Sequence, residues 1–250
     1  MIRPKKSLGQ NWLRSASALA TMIKAAELQT SDTVLEIGPG QGALTEALLK
    51  TDAAKIIAVE KDDRLISVLQ EKFRAEIKTG RLELIHADIL KLSSTLLPPR
   101  FKLIANLPYY LTGQILRHFL TAVRPPSVAI LMLQKEVAER IVARDKRESL
   151  LSISVKAFGE PKYLKTVPAG AFQPAPQVDS AILGIFNIKT SPDSDKLFAF
   201  LHRGFAHKRK LLKSNLACST ADLEQCKINP SARAENLTLE QWLCLAKILS

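Results

Sequence analysis

The sequence predicts an α/β protein in which a mostly parallel, doubly wound β-sheet is covered by helices on both faces and followed by a small helical unit. Three observations predict this fold. Short apolar runs alternate with stretches of helical periodicity, a glycine-rich turn follows the first run, and the composition changes at residue 190. Near-continuous apolar strands separated by helices are typical of a parallel sheet that is buried on both faces.

Seven apolar runs are the predicted strands of this sheet. The first five alternate with helical stretches, and the last two flank a proline-rich loop. The predicted strands span residues 33–37, 56–59, 82–85, 103–105, 128–133, 153–158 and 181–188. Ahead of them, residues 15–29 carry apolar side chains at helical spacing behind Ser15, which predicts a capped amphipathic helix.

The chain is predicted to divide at residue 190. Residues 191–195 are polar and include a proline, which is typical of a linker. Beyond them, apolar positions at helical spacing predict short helices over residues 197–201, 211–216 and 239–249. We therefore expect a main domain of residues 1–190 and a small helical domain of residues 191–250.

The bulk composition gives no sign of a membrane protein and favours a polyanionic partner. No apolar run approaches the roughly 18 residues that a membrane span requires, and the basic amino terminus lacks the apolar stretch of a secretory signal. A cytoplasmic protein is therefore expected. The net charge is +12, and such an excess favours nucleic acid through counterion release. The three cysteines form no CxxC pair, so we expect free thiols and no metal site.

Two basic segments contain no acidic residue, and they bracket a nearly balanced middle. One lies at the amino terminus, and the other lies between residues 202 and 213. Because Lys and Arg contacts to phosphate dominate nucleic-acid affinity, these segments are the predicted binding surfaces. The candidate residues are Arg3, Lys5, Lys6, Arg203, Lys208, Arg209, Lys210 and Lys213.

A turn with three glycines follows the first predicted strand and precedes a helix. Residues 36–42 read EIGPGQG, in which Gly38 and Gly40 begin a GxGxG pattern. Glycine lets the backbone approach a ligand at the carboxyl end of a strand. The spacing differs from the GxGxxG of most dinucleotide sites, and Glu36 stands two residues ahead of the first glycine. The combination favours S-adenosylmethionine, which has no pyrophosphate, as the cofactor.

Two carboxylates end the next two predicted strands. Glu60 follows the second apolar run, where a carboxylate can accept hydrogen bonds from both hydroxyls of a ribose. Asp88 follows the third run, where it can accept from the exocyclic amine of the cofactor's adenine; the alternative for this residue is a helix cap. The carboxyl ends of parallel strands meet at one edge of the sheet, so both carboxylates are predicted to lie beside the glycine turn.

The segment Asn106-Leu107-Pro108-Tyr109-Tyr110 follows the fourth run and predicts a site for an exocyclic aromatic amine. The lone pair of such an amine is delocalised into the ring, so a pair of hydrogen-bond acceptors is a useful catalytic device. The side-chain oxygen of Asn106 and the carbonyl of Leu107, held by the rigid Pro108, can each accept one N–H. Tyr109 can stack on the base. Methyl transfer from a sulfonium donor requires neither a metal nor a nucleophilic side chain.

Five blocks in this sequence resemble the bacterial family of 16S (small-subunit) ribosomal RNA adenine N6,N6-dimethyltransferases. The blocks occur in the family's order and extend over nearly the whole chain. They are residues 6–13 (KSLGQNWL), 36–40 (EIGPG), 106–110 (NLPYY), 172–180 (FQPAPQVDS) and 205–215 (FAHKRKLLKSN).

The resemblance implies a Rossmann-like seven-stranded methyltransferase sheet with a small carboxyl-terminal helical domain that binds RNA or the ribosome. It implies transfer of four methyl groups to N6 of two adjacent adenosines near the 3′ end of 16S ribosomal RNA, within the small subunit and during its maturation. The expected protein is a monomer with no metal and no membrane partner.

Carried over by position, the resemblance also assigns roles to single residues. The expected cofactor contacts are Asn11, Leu13, Gly38, Gly40, Glu60, Asp88 and Asn106. Asn106 is also expected to bind the target amine, together with the carbonyl of Leu107. Tyr109 and Phe172 are expected to flank the base.

The departures from the family pattern are small, and they leave three rival functions open. Trp12 stands where phenylalanine is usual, Gly113 replaces a usual serine, and His207 and Lys208 replace glutamine and arginine in the basic block. The rivals are an antibiotic-resistance enzyme that methylates large-subunit RNA, a methyltransferase acting on DNA adenine or protein glutamine, and a non-catalytic RNA-binding or assembly factor. Gly9 and Leu107 favour the small-subunit group over the first rival.

Overall fold

A seven-stranded mixed sheet organises the main part of the chain. The computed structural model describes residues 2–5, 8–92, 97–190 and 194–249. The strands are β1 (Trp12–Leu13), β2 (Thr33–Ile37), β3 (Lys55–Glu60), β4 (Leu82–His86), β5 (Lys102–Asn106), β6 (Val128–Gln134), β7 (Glu160–Val167), β8 (Phe172–Gln173) and β9 (Ser180–Phe186).

The helices alternate with the strands and then form a group at the carboxyl end. They are α1 (Ala16–Ala26), α2 (Ala43–Leu49), α3 (Asp63–Lys72), α4 (Arg74–Lys78), α5 (Thr112–Leu120), α6 (Lys135–Ile141), α7 (Leu150–Lys156), α8 (Ser194–Phe205), α9 (Leu212–Leu216), α10 (Thr220–Gln225) and α11 (Leu239–Leu249). Within the described ranges, no helix is long and apolar enough to cross a membrane.

The strand order is β4-β3-β2-β5-β6-β9-β7. The first five strands pair in parallel, and β9 runs antiparallel to both of its neighbours. Alternate residues of β2 point to opposite faces, since Leu35 packs into one core and Val34 into the other. Both faces are therefore buried, and the predicted Rossmann-like α/β fold is confirmed. The order changes direction between β2 and β5, which is where open sheets of this kind bind ligands.

Helix α1 begins where the sequence indicates. The side chain of Ser15 accepts a hydrogen bond from the backbone N–H of Ala18 at 3.2 Å, which satisfies one of the free donors of the first turn. The helix ends at Ala26 and not at residue 29, because Glu27 adopts a left-handed conformation with φ of 46°. The predicted capped helix is confirmed with this shorter end.

The prediction of a strand over residues 153–158 is wrong, since residues 150–156 form helix α7. Ser149 and Ser152 form a reciprocal capping box at its start. Ile153 packs into the carboxyl-terminal core, whereas Val155 packs into the sheet core. A helix buried on several sides lacks a polar face, so the alternating pattern of this segment resembled that of a strand.

The sheet's edge strand β7 occupies part of the predicted proline-rich loop. Pro161 and the lysines of this segment hid the strand, because prolines and charges are unusual in central strands and common at sheet edges. Among the described strands, β7 pairs with β9 alone and closes one side of the sheet. The predicted number of seven strands is therefore correct, although one of the segments is different.

Helices α8 to α11 pack around Trp242, which is fully buried. Phe200 meets its ring edge-on and Phe205 stacks on it, with ring centroids 6.0 and 5.1 Å away. The three predicted helices are present, and the first extends over residues 194–205. The linker prediction falls partly on residues 191–193, which lie outside the described residues, and the boundary at residue 190 stays a prediction.

The expectation of three free thiols is wrong for two of them. Cys226 at the end of α10 and Cys244 in α11 are joined by a disulfide, whereas Cys218 is free and half-buried. The two cysteines are 18 residues apart, and only the packing of α10 on α11 brings them together. Their spacing therefore gave no signal of a pair.

Gly204 permits the close packing of α8 against Trp242. A Cβ atom at this position would overlap the six-membered ring of the indole, which is fully buried. We expect Gly204→Ala to lower the free energy of unfolding by about 1–3 kcal/mol, measured by urea denaturation. Gly113→Ala in α5 is the matched control, because a Cβ there meets nothing within 4 Å. Equal stability of the two variants would contradict this account.

Candidate active site

A cavity of about 100 Å³ lies at the carboxyl ends of β2 and β5, and its walls bring together most of the predicted site. The amino-terminal segment forms one wall, the glycine turn forms the second, and the turn after β5 forms the third. The predicted site residues that line it are Asn11, Leu13, Gly38, Gly40, Asn106, Leu107, Pro108, Tyr109 and Phe172. Glu60 and Asp88 are not among the lining residues.

The glycine turn depends on backbone angles that other residues rarely adopt. Gly38 has φ of 65°, and a Cβ there would meet nothing within 4 Å, so the backbone is open to a ligand on that side. Gly42 has φ of 81°, and a Cβ there would lie 2.6 Å from the Phe73 ring. The first glycine therefore leaves room beside the cavity, and the third lets α2 start close against Phe73.

Glu60 connects the glycine turn to the start of α3. One carboxylate oxygen accepts from the N–H of Gly40 at 3.1 Å, and the other accepts from the N–H groups of Lys61 and Asp62, each at 2.8 Å. Burial raises the pKa of Glu60, and these three donors oppose the rise. The carboxylate is thus fixed directly behind the turn, one hydrogen bond away from Gly40, which lines the cavity.

Asp88 has two local partners. Its side chain caps a short 3₁₀ turn by accepting from the N–H of Leu90 at 3.1 Å, and it forms an ion pair with Lys61 at 2.9 Å. The Lys61 ammonium lowers the pKa of Asp88, so the carboxylate stays charged. The helix-cap alternative is therefore correct for Asp88 in this structure, and its cofactor contact stays a prediction.

The turn after β5 presents the predicted pair of acceptors. The Nδ2 atom of Asn106 donates to the carbonyl of Asn11 at 3.2 Å, which leaves Oδ1 as the amide atom that can accept. The N–H of Leu107 donates to the carbonyl of Met132 at 3.0 Å, so the backbone here is an extension of the sheet. Pro108, with φ of −57°, then turns the chain into the short helix that carries Tyr109.

Two aromatic residues complete the wall. The hydroxyl groups of Tyr109 and Ser180 are 2.8 Å apart, and burial raises the pKa of Tyr109, so its phenol stays neutral. Phe172 is buried, and it pairs with Leu13 where β8 meets β1. This two-stranded ladder joins the amino-terminal segment to a segment about 160 residues later in the chain.

Glu36 is a site residue whose role was not predicted from the sequence. Only its position two residues ahead of Gly38 entered the prediction of the cofactor. Glu36 lines the cavity and its side chain is fully buried. Thr45 in α2 is a nearby donor, although within the described residues neither carboxyl oxygen has a hydrogen bond of good geometry. Burial raises the pKa of Glu36 to about 8; Thr45 opposes this rise, and the nearby Glu60 adds to it. The available signal was an acidic residue inside an otherwise apolar strand, since such residues are rarely buried without a partner.

The residues of the site fit a ligand that is cationic and carries an adenosine. The buried carboxyl group of Glu36 can pair with an ammonium or sulfonium group when it is ionised, and such a cation favours the ionised form. The open backbone at Gly38 leaves room for a nucleoside beside the cavity, whereas contacts of Glu60 and Asp88 with a ribose and an adenine stay predictions. S-Adenosylmethionine has all of these groups. In the part of the chain that the structure describes, no cluster of three or more His, Cys, Asp or Glu side chains is placed to hold a metal.

The predicted basic segments are largely exposed where the structure describes them. In the first segment Arg3 and Lys5 are exposed, and Lys6 lies outside the described residues. In the second segment Lys208, Arg209 and Lys210 are exposed and Lys213 is half-buried. Their roles in binding RNA stay predictions.

One residue of the second segment is partly structural, and another borders a separate cleft. Arg203 is exposed but donates to the carbonyl of Leu216 at 3.3 Å. Lys208 lines a wide cleft of about 960 Å³ between α5, α7 and α8.

Comparison with known sequences identifies relatives over the full chain. The "Ribosomal RNA small subunit methyltransferase A" of Dehalococcoides mccartyi is 41% identical over 261 residues, which cover 98% of this chain and 88% of the relative. The protein of the same name from Nostoc punctiforme is 39% identical, and the match covers 100% of this chain and 96% of the relative.

Solved structures with related sequences share the fold. The 23S rRNA methyltransferase ErmE matches with a TM-score of 0.79 and 26% identity over 96% of this chain and 99% of its own. A dimethyladenosine transferase from Plasmodium falciparum matches with a TM-score of 0.77 and 27% identity over 94% of this chain and 95% of its own. The family model described as "Ribosomal RNA adenine dimethylase" matches residues 1–250. The chain therefore belongs to the ribosomal RNA adenine dimethylase family.

Proposed function

We propose that this enzyme transfers methyl groups from S-adenosylmethionine to N6 of two adjacent adenosines near the 3′ end of 16S ribosomal RNA, in the small ribosomal subunit. The observation that carries the proposal is the turn after β5. Asn106 and Leu107 line the cavity together with the glycine turn, and the bond from Nδ2 of Asn106 to Asn11 leaves its Oδ1 as the atom that can accept. The names of relatives about 40% identical to this chain support the small subunit as its target.

The cofactor is proposed to lie between the amino-terminal segment and the glycine turn. Glu36 faces its positive charge, Gly38 and Gly40 border it, and Glu60 and Asp88 accept from its ribose and adenine. Asn11 and Leu13 cover it from the other side. When bound, S-adenosylmethionine supplies an electrophilic methyl group on sulfur with a neutral thioether as leaving group.

Asn106 and Leu107 are proposed to act on the target amine. In the first transfer each oxygen accepts one N–H of the adenine, and in the second transfer one of them accepts the N–H that remains, which localises the lone pair on N6 and directs it towards the methyl carbon. When the bound cofactor gave up its methyl group as a neutral thioether, both acceptors would share the positive charge that develops on N6 until one N–H proton passed to solvent. Tyr109 and Phe172 hold the base between them, and the bond of Tyr109 to Ser180 fixes the ring.

Incubation of the purified protein with under-methylated small subunits tests the target. Mass spectrometry of the RNA is expected to place two methyl groups on each of two adjacent adenosines. The likeness to ErmE makes the large-subunit RNA the second candidate, so large subunits are incubated in parallel. Methyl groups found on large-subunit RNA alone would show that the large subunit, and not the small subunit, is the target.

The basic block of Lys208, Arg209 and Lys210 is proposed to bind RNA phosphates. Replacing all three with alanine is expected to weaken binding and to reduce the slope of log affinity against log salt by about 1 for each phosphate that is no longer neutralised. The slope is measured by fluorescence anisotropy over a range of KCl concentrations. The control variant replaces the exposed residues Lys24, Lys78 and Lys227 with alanine, which removes three positive charges outside the basic block. Equal salt slopes for the two variants would show that the block is exposed to solvent and does not contact RNA phosphates.

The domain roles are also proposals. Residues 1–190 are proposed to carry catalysis, and residues 191–250 to bind RNA or the ribosome, in a metal-free monomer that takes part in small-subunit maturation in the cytoplasm. Arg203 and Lys213 extend the basic surface, and Arg3, Lys5 and Lys6 provide a second one. Sedimentation of the purified protein at several concentrations tests the monomer.

A further inference from the structure

Residues 9–14 of the amino-terminal segment form one wall of the cavity, and the carbonyl of Asn11 accepts from Nδ2 of Asn106 at 3.2 Å. The carboxyl end of the segment is held by backbone bonds: β1 pairs with β8, and the N–H of Arg14 donates to the carbonyl of Ala171 at 2.8 Å. The indole of Trp12 lies against the glycine turn at Gly40. The cavity is about 100 Å³, and small-molecule sites generally have about 300–1,000 Å³. A nucleoside-sized cofactor therefore needs more room than the cavity has in this structure, and the amino-terminal segment is one of the walls that border it.

One side-chain contact connects this wall to the turn that carries Glu60. The Nε2 atom of Gln10 donates to Oδ2 of Asp62 at 2.7 Å. The Oε1 atom of Gln10 accepts from the N–H of Lys5, also at 2.7 Å. The amide of Gln10 thus links the basic amino terminus to the start of α3 through both of its polar atoms.

Asp62 is a rigid partner for Gln10. It is 2% exposed, it forms an ion pair with Arg64 at 2.6 Å, and its own N–H donates to Glu60 at 2.8 Å. The Arg64 guanidinium holds the pKa of Asp62 below its usual range, so the acceptor is a carboxylate. Gln10 is therefore fixed to the same short turn that fixes the ribose-binding candidate.

We propose that Gln10 and Asp62 form a clasp that positions the amino-terminal segment over the bound cofactor, so that Asn11 and Leu13 meet the ligand at a fixed distance from Glu60. The proposal rests on the proposed function only for the identity of the ligand. Gly9, with φ of 59°, precedes the clasp and gives the segment a bend that most residues do not favour. Both members of the clasp are positioning residues, because neither is required to touch the reacting atoms.

The test compares the clasp in its native, repulsive and reversed forms. Gln10→Glu places a second carboxylate against Asp62. The double variant Gln10→Glu with Asp62→Asn restores one donor and one acceptor with the polarity exchanged. Two controls make the same substitutions outside the clasp. Gln70→Glu, on the exposed side of α3, adds one negative charge as Gln10→Glu does. Asp63→Asn, next to Asp62, removes one as Asp62→Asn does. Thermal unfolding establishes that each variant is folded, and Gln10→Ala replaces Gln10→Glu if the latter is not.

Two measurements are made on each protein. Calorimetry with S-adenosylhomocysteine is expected to show about tenfold weaker binding for Gln10→Glu, the scale for removing a hydrogen bond to a charged group, and recovery to within about threefold in the double variant. Hydrogen exchange of the free protein is expected to show about tenfold faster exchange of the amides of residues 8–13 in Gln10→Glu alone. A folded Gln10→Glu with native affinity and native exchange would overturn the clasp, as would a double variant no better than the single one.

The two readouts separate failure of the clasp from failure of the proposed function. If the native protein binds no S-adenosylhomocysteine, the proposed cofactor is wrong, whereas the exchange of residues 8–13 in the free protein still tests the clasp. If the native protein binds the ligand and the variants do not differ in affinity or in exchange, the cofactor assignment stands and the clasp is rejected.

Discussion

Asn106→Ala is expected to lower kcat for methyl transfer by about 100-fold or more, the scale for removing one preorganised hydrogen-bonding group from an active site. The variant lacks the amide oxygen that accepts from the target amine, so the lone pair on N6 stays delocalised into the ring. Binding of the small subunit is expected to change little, because the basic surfaces are untouched. Single-turnover transfer and subunit binding by filtration are the two measurements.

Asn106→Asp tests the accepting oxygen of the side chain separately from its donating nitrogen. It keeps an oxygen for the amine but cannot donate to the carbonyl of Asn11 as Asn106 does at 3.2 Å. We expect it to retain more transfer than Asn106→Ala and to bind S-adenosylhomocysteine more weakly. If the alanine variant turned over at the native rate, Asn106 would have no part in the chemistry.

Glu36→Gln is expected to weaken S-adenosylmethionine binding by at least about tenfold above pH 8, where Glu36 is ionised, because a buried carboxylate facing a cation contributes a charge-assisted interaction that an amide cannot. The free protein gives a second signature. Burial raises the pKa of Glu36 from 4.5 to about 8, so the folded state holds its proton over a pH range in which the unfolded state releases it. The stability that this proton contributes is complete below pH 4.5 and is lost as the pH rises towards 8.

The pH signature is measured as the difference between two proteins. Urea denaturation of the native protein and of Glu36→Gln at several pH values is expected to show a steeper loss of stability in the native protein. The excess is at most about 1.4 kcal/mol per pH unit, the value for one proton. Glu224→Gln on the exposed surface of α10 is the control. Parallel curves for the native protein and Glu36→Gln would show that this carboxyl does not titrate as proposed.

The features that the sequence predicted correctly are those that local pattern determines. Strand β2 was predicted with the right ends, because a buried parallel strand is mostly apolar and the glycine turn marks where this one stops. The grouping of Gly38 and Asn106 followed from topology, since the carboxyl ends of adjacent parallel strands share one edge.

The features that were missed depend on contacts between distant segments. Helix α7 resembled a strand because Ile153 and Val155 are buried in two different cores. The bond between Gln10 and Asp62 joins residues 52 positions apart, and nothing in the spacing marks it. The disulfide of Cys226 and Cys244 likewise exists only once two helices have packed.

The positions of the two tryptophans provide a native fluorescence reporter for each part of the protein. Trp12 lies on the glycine turn at the cavity, and Trp242 is buried among the carboxyl-terminal helices; the chain has no other tryptophan. Emission from a Trp242→Phe protein therefore follows ligand entry, and emission from a Trp12→Phe protein follows melting of the helical unit. Comparing the two melting curves would reveal whether the two parts unfold together or separately.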